Sequence, residues 1–507
     1  MSAIAAAVDY VLKLGPSVMM PIIITLFGLL LRQGLVKSFR AGLITGVGFV
    51  GIGLAVGLLV DQVGPQAMAF SRALHLKLDV LDVGWPVGAA ASFASPIALV
   101  LIPAILALNV AMLFLRATRT MDVDLWNYWH FIYTGALVQQ MYKMQGRSEG
   151  VALAAGVGAA CVTAIIIFKL ADWTAPAVEK HFGLKGISLP HTETVNWAPF
   201  MYALERVESR IPGFNKLHLD PAKIRARAGI LGEPVVMGAL LGLVLGGFGG
   251  WPLLATGGPG AAGAFVKNAL TLAVAMAAVL VILPRMVAIL MEGLIPVAEG
   301  AREFIQKRFP GKNVYIGLDA AVVIAHPAGM AVALLLVPIS LALAVALPGN
   351  RMLPFADLAV LAFYIIWAVA CSRGNLVRGL LNGVIVMVCI LYIGSDLAGL
   401  TTALARNAGF IPKAAAGLTG YAEWSGIAVG SHVVPWMLLR LLDFGSRQFW
   451  IALGVAVLFG ACWWWVRDDI RRQFPDAAAS APPAGGAGAA VAAGTGTEDH
   501  AAKTPAL

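Results

Sequence analysis

Charge is scarce in this sequence. Of its 507 residues, 12% are Asp, Glu, Lys or Arg, about half the usage of soluble domains. A water-facing globule of this length is excluded. Cysteine is scarce too: Cys161, Cys371, Cys389 and Cys462 are the four. They sit in or at the ends of apolar runs with no CxxC spacing, so they read as buried packing residues, not metal ligands or disulfides. No Walker loop, HExxH or GxSxG occurs, which argues against ATP-driven pumping within the chain. The run Gly46-Val47-Gly48-Phe49-Val50-Gly51 has dinucleotide-like spacing. It lies inside an apolar stretch with no preceding strand and reads as small-residue helix packing. No cofactor and no metal is expected. Asp9 and a single early cation, Lys13, do not make a cleaved signal peptide.

Apolar residues are abundant, at 59%, and mean hydropathy is +0.83. One bilayer crossing takes about 20 apolar residues. The 56 glycines suit closely packed membrane helices. The fold class is therefore an all-α polytopic membrane protein, with about 11 transmembrane helices in the sequence. Apolar runs lie near 15–31, 41–60, 96–115, 125–142, 150–168, 231–249, 264–284, 328–347, 355–371, 379–396 and 448–466.

Net charge is +9, and the cations fall in short loops between runs. They read as topology-setting charge beside an anionic leaflet, with no nucleic acid implied. Positive loops face inward, which puts the N-terminus outside and the C-terminus in the cytoplasm. Trp463, Trp464 and Trp465 before Arg467 form an aromatic belt at the inner face.

The two halves share an order of landmarks. Leu14-Gly15-Pro16-Ser17-Val18-Met19 opens the first run, and Leu231-Gly232-Glu233-Pro234-Val235-Val236-Met237 opens the sixth. Asp82 leads into a stretch broken at Pro86, Pro96 and Pro103; Asp319 leads into one broken at Pro327 and Pro338. Asp124-Leu125 and Asp357-Leu358 each open the next run. Five passes per unit make the repeats inverted, an arrangement that marks a transporter with a midplane site. The expected organisation is a first inverted repeat at 9–172, a cytoplasmic or interfacial loop at 173–230 and a second repeat at 231–396. An outer loop at 397–446, a last helix at 447–470 and a disordered cytoplasmic tail at 471–507 follow. Residues 82–95 and 314–327 are too short and interrupted to span, and read as re-entrant hairpins meeting near midplane.

An ionisable group at membrane depth costs at least about 2.5 kcal/mol, so it is a functional candidate by default. Asp82 and Asp319 can accept from adjacent hydroxyls; capping a short helix is the alternative. Trp85 follows Asp82 in the same hairpin and joins the candidates. His130, in Trp126-Asn127-Tyr128-Trp129-His130, offers a donor and an acceptor beside indoles suited to a sugar's C–H face. An interfacial belt is its plainer reading. Gln139 and Gln140 are neutral amides suited to uncharged polyols or to interhelical bonds. His326, before Pro327, contacts solute or a carbonyl. Glu233 complements a helix dipole or carries a coupling proton.

Several strings resemble a known family: Gly15-Pro16, Phe39-Arg40-Ala41-Gly42-Leu43, Asp82-Val83-Gly84-Trp85-Pro86, Asp124-Leu125-Trp126-Asn127-Tyr128-Trp129-His130, Gly232-Glu233-Pro234-Val235, Ile316-Gly317-Leu318-Asp319 and Leu347-Pro348-Gly349-Asn350. The sequence resembles the galactitol permeases, the IIC membrane component of a phosphoenolpyruvate-dependent phosphotransferase system, over about residues 9–470. That resemblance implies a homodimer in a bacterial inner membrane, with a substrate-holding core moving against a scaffold. It implies galactitol or a related polyol as substrate. It also implies IIA and IIB partner proteins, IIB donating the phosphoryl group from a phosphocysteine. Basic loops, including 169–230 and 302–312, are the expected docking face for IIB. The chain itself has no phosphodonor residue. Cation-coupled secondary transport of a polyol, with Glu233 or Asp319 carrying the proton, is one alternative; a non-transporting membrane scaffold or sensor is another.

Overall fold

The computed structural model describes residues 16–58, 61, 62, 69, 77–122, 124–214, 229–255, 257–308, 314–323, 326–354, 356–409 and 423–473. The tail from 474 and the loop cations at 215–228 and 309–313, expected on the docking face, lie outside the described residues. The principal helices are α1 (Pro16–Leu30), α2 (Leu35–Leu58), α3 (Gly84–Ala94), α4 (Ala98–Phe114), α5 (Tyr128–Met144) and α6 (Glu149–Phe182). Further along come α7 (Ala198–Glu208), α8 (Pro234–Ala255), α9 (Ala261–Arg308), α10 (Pro327–Ala346), α11 (Leu376–Asn407), α12 (Val433–Leu441) and α13 (Arg447–Val466).

Among the described residues, seven helices are long and apolar enough to cross a bilayer, or eight if a bent pair counts as one span. The sequence predicts eleven, and the differences have local causes. The run at 355–371 is not one helix: it breaks into Leu358–Val360, Leu361–Tyr364 and Ile366–Cys371. Its buried Asp357 accepts backbone bonds from distant segments, which fixes a non-helical entry. The run at 15–31 yields α1, only 15 residues with Pro21 inside. Helix α5 is 17 residues and buried around its circumference from Tyr128 to Val138, so it faces protein on every side. Conversely, α6 has 34 residues and α9 has 48. At 1.5 Å per residue these reach about 51 and 72 Å, well beyond a hydrocarbon core of about 30 Å.

Helices α3 and α4 form the bent pair, meeting at 94°. Ser95 sits extended at ψ 136 before Pro96, the conformation a proline imposes on its predecessor. The first Pro-broken stretch therefore turns as its prolines demand. The second differs: Ala320–Val323 is one 3-10 turn, and α10 starts at Pro327.

Helices α1, α2, α8 and α9 pack on one another through small residues. A Cβ on Gly238, Gly242 or Gly246 of α8 would lie 2.6, 2.5 and 2.8 Å from the Cα atoms of Ala277, Ala273 and Ala269 of α9. Four-residue glycine spacing lets the backbones touch. In α2, Gly48 meets Leu290 and Gly46 meets Pro21, so the GxGxxG-like run serves helix packing. We expect Gly242→Leu to destabilise the protein by about 3 kcal/mol or more, since overpacking costs about 1–3 kcal/mol even where atoms can shift. Gly247→Leu, where a Cβ meets open space, is the control. Thermal unfolding in detergent reads the difference, and equal melting of the two variants would refute this packing.

Among the described residues, six short strands form two parallel sheets: β1 (Val80–Asp82), β2 (Thr120–Asp122), β3 (Ile187–Ser188), β4 (Tyr315–Gly317), β5 (Met352–Leu353) and β6 (Glu423–Ser425). The first sheet runs β5-β1-β6 and the second β2-β4-β3. Each therefore has a central strand from one half of the chain, flanked by two from the other. The register pairs Asp82 with Ser425 and Gly317 with Ser188. Asp82 ends β1, whereas Asp319 stands two residues beyond β4.

This pairing changes the reading of two presumed loops. Residues 173–182 continue α6, and most of 187–203 is buried, because β3 is an edge of the second sheet. Within 397–446, α11 runs to Asn407, and β6, the short helix Ile427–Gly430 and most of α12 are buried. Both segments are interior elements over these residues.

Candidate functional site

The site grows from the ends of the two sheets. Buried carboxylates there tie down backbone N–H groups that no helix or strand satisfies. Asp82 Oδ1 accepts from Gly84 N–H at 3.0 Å and Oδ2 from Ala356 N–H at 3.1 Å. Gly84 has φ +75, and a Cβ there would lie 2.9 Å from Asp357 Oδ1, so the turn requires glycine. Asp357 accepts from Trp85 N–H at 2.8 Å and Ala428 N–H at 3.0 Å. In the other sheet, Asp124 accepts from Trp126 N–H and from Asp319 N–H, both at 3.1 Å, and Asp319 Oδ1 accepts from Ala321 N–H at 2.7 Å. Asp82, Asp357 and Asp124 thus clasp segments far apart in sequence, while Asp319 Oδ1 closes a local turn.

Asp124 sets the start of α5 and so places His130 within its first turns. His130 is fully buried, and its Nδ1 lies 3.0 Å from Nε2 of His432. Nδ1 of His432 lies 2.7 Å from the Ala428 carbonyl. The His191 ring centroid is 4.5 Å from that of His130. His191 Nε2 lies 3.2 Å from Asp319 Oδ2 and 4.0 Å from Glu193 Oε2. Trp129 stacks on His130 at 4.0 Å between centroids, and Tyr133 hydroxyl meets Thr401 hydroxyl at 2.7 Å.

Among the described residues, several buried polar atoms have no hydrogen-bond partner: His130 Nε2, His191 Nδ1, Thr192 Oγ1, Glu193 Oε1, Asn196 Nδ2 and Asp122 Oδ2. A polar atom buried without a partner costs about 1–3 kcal/mol. Of these residues, His130, His191 and Glu193 lie together, and a ligand or ordered water among them would complete their bonds. Ligand atoms of His130, His191 and Glu193 lie within 4.8 Å of one another. A tetrahedral zinc ion draws its ligands to about 3.4 Å apart, given bonds of about 2.0–2.1 Å. A hydroxyl oxygen, which sits about 2.7–2.8 Å from each partner, fits within the same limit.

The residues singled out from sequence are divided by the structure. His130 is in the cluster and Asp319 at its edge. Asp82 holds backbone, its sequence-level alternative. Trp85 is half-buried, edge-on to Trp126 at 5.8 Å. Gln139 is half-buried alongside Gly156 of α6, and Gln140 accepts from Asn407 at 3.0 Å. His326 opens α10, its ring 5.4 Å from Phe182. Glu233 is exposed just before α8. Sequence reasoning missed His191, Thr192, Glu193, Asn196 and His432. The polar string His191-Thr192-Glu193-Thr194 after Leu189-Pro190 was the available signal, obscured by its placement in a surface loop.

Apolar spans around an interior set of unsatisfied hydrogen-bonding groups define a polytopic membrane protein built to hold a polar solute. Residues 10–414 match the family of PTS system sugar-specific permease components. The chain is 37% identical over 458 residues to the "PTS system galactitol-specific EIIC component" of Escherichia coli (strain K12), covering 90% of this chain and 95% of that one. It is 39% identical over 447 residues to a "Putative permease IIC component" of the same organism, covering 88% and 96%. The chain belongs to the PTS system sugar-specific permease component family.

Proposed function

We propose that this protein carries galactitol inward across the inner membrane as the IIC component of a phosphotransferase system, with a partner IIB protein phosphorylating the sugar alcohol. The observation that carries the reading is 37% identity to a galactitol-specific relative along 90% of the chain. The site chemistry agrees with it. Galactitol is uncharged and carries a hydroxyl on every carbon, each a donor and an acceptor. The buried cluster supplies acceptors at His130 and Glu193, with Trp129 packed beside them.

The substrate contacts are His130, His191 and Glu193, with Asp319 orienting His191. Of the remaining sequence candidates, Asp82 acts by holding the hairpin, and Trp85, Gln139 and His326 lie outside the cluster's contacts. The inverted-repeat organisation is retained, with each repeat extended: the first takes in β3 and its short helix, the second takes in β6 and Ile427–Gly430. The exchange of central strands between the halves supports it, as does the matched use of Asp82 and Asp357 against Asp319 and Asp124. The bundle of α1, α2, α8 and α9 is the scaffold of a homodimer, and the elements around the two sheets form the moving core. The N-terminus lies outside and the C-terminus in the cytoplasm, where the IIB and IIA partners work.

The test uses right-side-out vesicles containing the full chain and loaded with phosphoenolpyruvate, HPr, IIA and IIB. Labelled galactitol should be phosphorylated in preference to sorbitol, arabitol and ascorbate. Accumulation of unmodified galactitol driven by a pH gradient alone would replace this reading with cation-coupled transport.

A further inference from the structure

We propose that His432 is a positioning residue that locks His130 in the Nδ1–H tautomer and so presents the His130 Nε2 lone pair to a ligand hydroxyl. The inference rests on the polyol reading of this site.

The argument follows one chain of hydrogen bonds. The Ala428 carbonyl can only accept, so the proton between it and His432 Nδ1, 2.7 Å away, belongs to the ring. A neutral His432 then has a lone pair on Nε2. His130 Nδ1, at 3.0 Å, must be the donor to it. His130 in turn has its lone pair on Nε2, which is buried without a partner. The reverse arrangement needs a second proton on His432. That ring is fully buried, and its hydrogen-bond partners are a carbonyl and an imidazole, neither of them an anion. A buried, unpaired cation is strongly disfavoured. The short helix Ile427–Gly430 supplies the terminal carbonyl, and Asp357 fixes that helix through Ala428 N–H. The direction of the relay is thus built into the backbone.

The consequence is a rule for ligands. Beside the unpaired Glu193 Oε1, His130 Nε2 makes this wall of the site a pure acceptor. It takes a CH–OH group and rejects a carbonyl oxygen at the same place, because two acceptors would face each other. An alditol fits where a keto sugar does not.

Solid-state NMR of the full chain with 15N-labelled histidine, assigned with His130→Gln, reads the tautomer directly. Wild type should show a protonated Nδ1 and an unprotonated Nε2 at His130. His432→Met removes the acceptor and should shift His130 toward Nε2–H, whereas His432→Gln, which offers a carbonyl oxygen, should retain the wild-type tautomer. Binding of mono-deoxygalactitols supplies the second readout. One analogue should bind wild type and His432→Gln about tenfold or more weakly than galactitol, a typical loss for a buried hydrogen bond. In His432→Met that penalty should largely vanish. A protonated Nε2 on His130 in wild type overturns the proposal, even where His432→Met cannot be purified. So does a deoxy penalty unchanged in His432→Met. If wild type binds no galactitol, the polyol reading fails, and the tautomer measurement still decides the role of His432.

Discussion

Glu193→Gln should weaken galactitol binding by about 10- to 100-fold while raising the melting temperature. The two effects share one cause. Glu193 is buried, its Oε1 has no partner among the described residues, and its ion pair there is with His191, 4.0 Å away and charged only if protonated. A hydrogen bond to a charged group contributes about 1.5–3 kcal/mol, and each 1.4 kcal/mol is tenfold in affinity. In the empty protein the same carboxylate is a liability, because its desolvation is uncompensated. Replacing it by a neutral amide of the same shape removes that cost, the usual trade between stability and function. Isothermal titration and thermal unfolding of purified protein measure the pair. Unchanged affinity together with a lower melting temperature would make Glu193 a structural residue and remove it from the site.

Asp357→Ala should have the largest effect on folding, because it releases two backbone N–H groups from separate segments. Trp85 N–H lies at the entry of α3 and Ala428 N–H in the short helix behind His432. Each buried N–H left unpaired costs about 1–3 kcal/mol, so the loss is about 2–6 kcal/mol. Typical total stability is about 5–15 kcal/mol. We expect little monodisperse protein from Asp357→Ala and an intermediate result from Asp357→Asn, which keeps one acceptor oxygen. Asp82→Asn belongs to the same class, since both Asp82 oxygens hold backbone. Size-exclusion profiles and melting temperatures separate this from a ligand contact. A variant that melts like wild type but binds galactitol poorly would place Asp357 in the site instead.

Much of this protein was legible because the bilayer simplifies the code. Ten of the eleven predicted apolar runs coincide with a principal helix, since backbone taken out of water must satisfy its own hydrogen bonds. The one run that fails, 355–371, fails at Asp357. The acidic landmarks were also visible, as ionisable residues in apolar surroundings. Their division of labour was not. Asp82 and Asp319 look alike in sequence, yet both Asp82 oxygens accept from backbone N–H groups while Asp319 Oδ2 faces His191. The polar string at 191–194 and His432 were hidden for a different reason. The first sits in a mixed-charge segment and the second in apolar pieces too short and irregular to span, and only strand pairing draws them inside.

Sequence alone determined the class of protein and the positions of most of its helices, which depend on composition and local periodicity that every window of residues carries by itself. Its ordered strings carried the family resemblance, and the expectation of a polyol came with that resemblance. Tertiary structure decided which polar groups meet. His130, His191, Glu193 and His432 converge because β3 and β6 are edge strands on sheets whose centres come from the opposite half of the chain. Such pairing is set by backbone hydrogen bonds between segments more than a hundred residues apart in one sheet and several hundred in the other, and no local signal in the sequence announces it.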